Sequence, residues 1–212
     1  PVYHAIKACP EEFELTLCVT AQHRQMLDQV LRVFDMVPDI DLNLMKEGQD
    51  LFDVTANVLL AMREVLRENR PDVLLVHGDT ATTFASSLAA FYAGIKVGHV
   101  EAGLRTNNLQ EPFPEEFNRQ VTSKLSSWHF APTEYSRENL LKEGVDTSSV
   151  FVTGNTVIDA LFWALKKTEV DSEMKSLIHQ RLASIVPFSL EDTRFVLITG
   201  HRRENFGDGF LN

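Results

Sequence analysis

Apolar runs rich in valine, leucine and isoleucine recur along the chain at FELTLCVT (13–20), DVLLVHG (72–78), KVGHVEA (96–102), SWHFAPT (127–133), VFVTGN (150–155) and RFVLITGH (194–201). Several are apolar at consecutive positions, so both faces of the strand need cover. That pattern suits a parallel sheet with helices on each side. Between the runs the period changes. Leu27, Val30, Leu31 and Phe34 follow i, i+3, i+4, i+7 spacing, and Val54, Val58, Met62, Val65 and Leu66 form a second stripe closed by ENRPD. Phe117, Val121 and Leu125 mark a third. This alternation predicts an α/β fold, a doubly wound Rossmann-like parallel sheet with right-handed crossovers. The opening PVYHAIKACPEEF reads as a helix and a turn. The polar, acidic stretch 166–193 reads as a helix, Pro187 and a turn. It separates a domain over 1–186 from the start of a second over 187–212, which RFVLITGH opens.

Composition narrows the classes. A chain of 212 residues holds one large domain, or one domain and part of another. The net charge of −10 argues against nucleic-acid binding, which needs a basic face. It leaves room for an anionic small ligand held by a few arginines and helix N-termini. Cys9 and Cys18 fall in no metal or redox spacing, and a reducing cytoplasm is the simplest setting. No apolar run approaches the ~20 residues needed to cross a bilayer, so no membrane partner is expected.

In open parallel sheets, ligands bind beyond the carboxyl ends of the strands, and chemistry-bearing residues collect there. VLLVHGDT ends on His77, Gly78, Asp79 and Thr80, with Asp79 or Thr80 as the cap of the next helix. KVGHVEAGLRT ends on Glu101, followed by Gly103 and Arg105 in a loop with two prolines, where a capping role fits less well. VFVTGN ends on Gly154 and Asn155, and RFVLITGH on Gly200 and His201, followed by Arg202 and Arg203. One edge of the sheet should therefore gather Asp79, Glu101, Glu115, His201 and one or more arginines. No HxH or HExxH spacing supports a metal site, the acids at these strand ends lie far apart in sequence, and no GxGxxG supports a dinucleotide. Two readings remain for the acids. Glu115 and Arg119, at i, i+4, can stabilise their own helix by about 0.3–0.5 kcal/mol. Alternatively, carboxylates crowded in a cleft repel one another, which lifts at least one pKa toward the working pH and allows acid–base chemistry.

Five segments in order resemble one family: TAQHRQMLDQVL, PDVLLVHGDTATTFASSLAAFYAGIKVGHVEAGLRT, PFPEEFNRQVTSKLSSWHFAPTEYSRENLLKEGV, VFVTGNTVIDAL and ITGHRRENFG. Together they are similar to the bacterial non-hydrolysing UDP-N-acetylglucosamine 2-epimerases. The resemblance implies the N-terminal domain of a two-domain, glycosyltransferase-B-like fold plus the start of the second domain. It implies interconversion of UDP-N-acetylglucosamine and UDP-N-acetylmannosamine by homodimers that use no metal or nicotinamide. The C2 hydrogen of the sugar is not acidic, so the family expels UDP as that hydrogen leaves, giving 2-acetamidoglucal, and then adds UDP back. On this resemblance Asp79, Glu101 and Glu115 are the catalytic carboxylates, assigned jointly, and His201 is the catalytic histidine near the leaving phosphate. Arg105, Arg119 and Arg202 hold loops or phosphate, with Gly78 and Asn155 in the substrate-binding set. Gln22, His23 and Gln25 match a segment lining a second, regulatory UDP-N-acetylglucosamine site.

The resemblance also sets limits. Family members open with a strand and a GTRPE-like loop that precede this chain's first helix, and they continue through most of a nucleotide-binding domain. A truncated chain of this extent is expected to be inactive or nearly so, whereas the full-length protein is expected to be an epimerase. The rivals are a glycosyltransferase of the same fold, a non-catalytic UDP-sugar-binding regulator, and the hydrolysing epimerase branch.

Overall fold

The computed structural model describes residues 1–21, 24–44, 46, 48–189 and 192–197. In chain order the elements are α1 (Val2–Lys7), β1 (Cys18–Val19), α2 (Arg24–Val33), β2 (Ile40–Asp41), α3 (Leu51–Asn69), β3 (Val73–His77) and α4 (Ala81–Ala93). They continue with β4 (Lys96–Val100), α5 (Glu115–Leu125), β5 (Trp128–Ala131), α6 (Glu134–Lys142), β6 (Val150–Val152), α7 (Thr156–Val170) and α8 (Ser172–Ile185). The chain divides into compact units over 1–164 and 165–212, a division that falls inside α7.

In the first unit β3, β4, β5 and β6 form a parallel sheet in sequence order. Each strand returns through a helix, so the strand tips share one edge. β1 and β2 pair, also in parallel, as a separate two-stranded sheet. The two-residue β2 has no counterpart among the expected strands. Of the expected strand over 194–201, residues 194–197 carry no regular structure, and the remainder lies outside the described residues.

The helices follow local signals. At the start of α3, Asp50 accepts from the Asp53 N–H at 2.9 Å and Asp53 returns the bond at 3.1 Å, a capping box worth about 1 kcal/mol. The helix ends where Arg70 turns left-handed, just before Pro71. Val58, Met62 and Leu66 on its inner face pack with Val76, Val97 and the alanines Ala85, Ala89 and Ala90 of α4. Small side chains on α4 let it lie close to that layer. A second cluster joins Ala102, Ala131, Leu140 and Val150 under α6.

Helix α5 reverses its expected orientation. Its buried residues are Glu116, Asn118, Arg119, Thr122 and Ser123. Phe117, expected on the core side, is 41% exposed and meets Phe84 edge-on, with ring centroids 5.5 Å apart.

Candidate functional site at the strand tips

Asp79 follows β3. The cap of α4 is Thr80, whose hydroxyl accepts from the Thr83 N–H at 3.2 Å, so the Asp79 carboxyl is not used as a cap. Arg119 Nη1 instead donates to Asp79 Oδ2 at 3.1 Å. The expected Glu115–Arg119 helix pair is replaced by Glu116 at i+3, which accepts from Arg119 Nε at 2.6 Å and Nη2 at 2.5 Å. Arg119 thus bridges the β3 tip to the interior of α5. Burial is the main influence on Asp79 and raises its pKa; Arg119 opposes it, while Glu115 and Glu101 add to the rise.

Glu101 follows β4 with φ at 67°, a left-handed backbone that a non-glycine residue adopts at a cost of about 1–3 kcal/mol. His77 Nε2 lies 3.5 Å from Glu101 Oε2. Asn155 Nδ2 approaches Glu101 Oε1, also at 3.5 Å. The Asn155 orientation is settled by its oxygen, which accepts the Val157 N–H at 2.9 Å at the start of α7 and leaves the amide facing the acid. His77 is the leading reason that the Glu101 pKa is lowered; burial opposes it, and Asn155 assists. Gly78, φ 73°, passes beside this carboxyl, which lies 3.6 Å from where a Cβ would stand. Glu115 begins α5, and its carboxyl makes no hydrogen bond or ion pair among the described residues.

Glu116, which the sequence reading left without a role, is completely buried. Its carboxylate accepts from the backbone N–H groups of Thr106 and Asn107 at 3.0 Å and from Gln120 at 2.7 Å, in addition to Arg119. Burial raises its pKa, but these donors reverse the effect and hold it at about 2. Glu116 thereby ties the loop after β4 to the helix that carries Glu115. The sequence signal is the adjacent pair Glu115–Glu116, of which Glu116 is wholly buried and Glu115 partly.

Arg105 is 1% exposed at its side chain. It donates to Glu143 at 2.6 and 2.9 Å, to Ser123 Oγ at 3.0 Å and to its neighbour's carbonyl at 2.7 Å. Of the two roles offered to it, holding a loop fits this placement; a phosphate contact does not. Gln25 is exposed in the first turn of α2. Gln22, His23, His201 and Arg202 lie outside the described residues. Among the described residues no group of three His, Cys, Asp or Glu stands close enough to hold a metal ion, and no helix is long and apolar enough to cross a membrane.

Comparison with known proteins places this geometry in context. The family described as UDP-N-acetylglucosamine 2-epimerase matches residues 4–211. The UDP-N-acetylglucosamine 2-epimerase of Escherichia coli (strain K12) is 54% identical over 210 residues, covering 99% of this chain and 54% of that protein. The crystal structure of UDP-GlcNAc 2-epimerase from Neisseria meningitidis bound to UDP-GlcNAc superposes with a TM-score of 0.73 at 54% identity, covering 81% of this chain and 47% of that one. The Methanocaldococcus jannaschii UDP-GlcNAc 2-epimerase in complex with UDP-GlcNAc and UDP matches with a TM-score of 0.74 at 34% identity, over 82% of this chain and 48% of that one. The α/β architecture is shared with these glycosyltransferase-B-like structures. The chain spans about half the length of the curated relatives it matches.

Proposed function

The chain belongs to the UDP-N-acetylglucosamine 2-epimerase family, and from that premise we propose that the protein interconverts UDP-N-acetylglucosamine and UDP-N-acetylmannosamine. What supports the proposal is that Glu101 Oε2 lies 3.6 Å from the Cβ position of Gly78, the residue before Asp79, while Arg119 of α5, the helix that Glu115 opens, donates to Asp79 at 3.1 Å. One sugar carbon fits such a cluster. A carboxylate takes the C2 hydrogen as the bond from C1 to UDP breaks, giving 2-acetamidoglucal. UDP then returns to C1 while a proton reaches C2 from the opposite face.

The two environments differ: the Glu101 pKa is lowered, chiefly by His77, and the Asp79 pKa is raised by burial. The three acids are assigned jointly to removing and returning the proton. Arg119 keeps the Asp79 carboxyl in place. His201 and Arg202 are assigned to the departing phosphate, and Gln22, His23 and Gln25 to a regulatory UDP-N-acetylglucosamine site. The same reading makes the protein a cytoplasmic homodimer whose product supplies cell-surface polysaccharide synthesis.

The test uses the protein extended to the length of its relatives, incubated with UDP-N-acetylglucosamine in deuterated water. Deuterium should accumulate at C2, with UDP-N-acetylmannosamine as the product. A C2 hydrogen that stays untouched while the sugar moves to an acceptor would instead identify a glycosyltransferase. The 212-residue chain alone should turn over little or no substrate.

A further inference from the structure

Three successive carbonyls at the end of β3 are each held by a side chain from a different element. Thr83 Oγ1 of α4 donates to the His77 carbonyl at 2.7 Å, His99 Nε2 of β4 to the Gly78 carbonyl at 2.8 Å, and Asn118 Nδ2 of α5 to the Asp79 carbonyl at 2.8 Å. The Gly78 N–H meanwhile donates to the Val100 carbonyl at 3.0 Å. A strand-to-helix turn needs only its cap, which Thr80 supplies. The surplus fixes where the next residue, Asp79, presents its carboxyl.

His99 is the informative member. It is fully buried, in register beside Val76 on β3 and His129 on β5. Its partner is a carbonyl, which only accepts, so Nε2 carries the hydrogen. In the opposite direction across the same strand pair, His77 of β3 reaches Glu101 at the tip of β4. Each strand's histidine therefore supports the acid at the other strand's end.

We propose that His77 and His99 are reciprocal positioning residues, a cross-strand clamp that sets Asp79 and Glu101 against each other at the strand tips. Resting on the epimerase reading, the clamp explains why this strand pair carries two histidines that need not touch substrate. The groups facing it are few. Asp79 faces Arg119 and Glu115 from α5 and Glu101 from β4. Glu101 faces His77, Asn155 and His99. His99 faces His129, Arg105 and His77, and with burial as the main cause its pKa is depressed to about 4. It thus stays a neutral donor.

The experiment begins with the unaltered 212-residue chain. Nitrogen-15 NMR of the imidazoles should find His99 neutral with hydrogen on Nε2 from about pH 5 to 8; hydrogen on Nδ1 would overturn the clamp. Carboxyl carbon-13 titrations then compare variants. His77→Ala should raise the Glu101 midpoint. His99→Leu should bring the Asp79 midpoint down toward the ordinary carboxylate value as the turn opens to water. His99→Gln, whose amide reaches about as far as Nε2, should restore the Asp79 midpoint, and His99→Asn should not. In the extended protein, His99→Leu should lower kcat by about tenfold to a hundredfold with KM within about twofold, and His99→Gln should recover most of it. Unchanged midpoints and unchanged kcat in His99→Leu would refute the clamp. Should that variant not fold, the His99→Gln against His99→Asn comparison and the tautomer of the unaltered chain still decide. Absence of C2 exchange in the unaltered extended protein, with the titrations as described, would refute the epimerase reading and leave the clamp standing.

Discussion

Asp79 is acted on by burial, a buried arginine and two other acids at once, and no change of one partner leaves it as it was. In the extended protein, Asp79→Asn and Glu101→Gln should each lower the rate of epimerisation on the order of 10²-fold or more, the usual scale for a lost acid–base group. Deuterium exchange at C2 measures it directly, and a regulator without chemistry would show no such loss. The positions of these acids are legible in the sequence because apolar runs stop at them. Their partners are not. Arg119 has acids at both i−4 and i−3, and helix geometry permits either pair. The choice falls to Glu116 because Asp79, forty residues earlier, approaches the same guanidinium, a tertiary fact that local spacing does not contain. Glu101 in a left-handed backbone is equally silent in the sequence, since nothing in GHVEAGLR requires it.

Among the elements, the alternation of strands and helices is readable because the strands are apolar at consecutive positions, although Val73 and Leu75 of β3 and Phe151 and Val152 of β6 remain exposed, so the expected cover on both faces is not complete. The short β2 is not readable, since two residues make no pattern. Helix α5 misleads for a physical reason: its apolar stripe is real, but Glu116 and Arg119 pair with each other and with the β3 tip and the loop after β4, which draws the polar face inward. The loop leading to α5 depends on a close approach. A Cβ at Gly103, φ 89°, would stand 2.2 Å from the Ser136 carbonyl oxygen, and Asn139 Nδ2 donates to the Gly103 carbonyl at 3.0 Å. Gly103→Ala combines a left-handed backbone with a clash against backbone, which cannot swing aside as a side chain could. It should destabilise the chain by about 2 kcal/mol or more, read as a drop in the urea midpoint at unchanged slope. A variant as stable as the unaltered chain would show that α6 can retreat from the loop.

For the molecule as a whole, the buried site leaves a signature in its response to acid. Glu116 has a folded pKa of about 2 against an ordinary 4.5, so its contribution is complete above 4.5 and is lost as the pH falls through 2. That gap corresponds to roughly 3 kcal/mol. His99 adds an earlier step in the same direction. Depressed from 6.5 to about 4, it binds its proton in the unfolded chain first, so stability is whole above 6.5 and falls on the way to 4, again by roughly 3 kcal/mol at most. Asp79 works against both, because a raised carboxyl pKa means the folded state takes up its proton first. The net expectation is a decline in two stages, measured by urea unfolding at a series of pH values. His99→Gln removes a titrating group and should flatten the upper stage while leaving the lower one. Stability that stays level from pH 6.5 to 4.5 would mean His99 is not held neutral inside the fold, and the donor to the Gly78 carbonyl would have to be sought elsewhere.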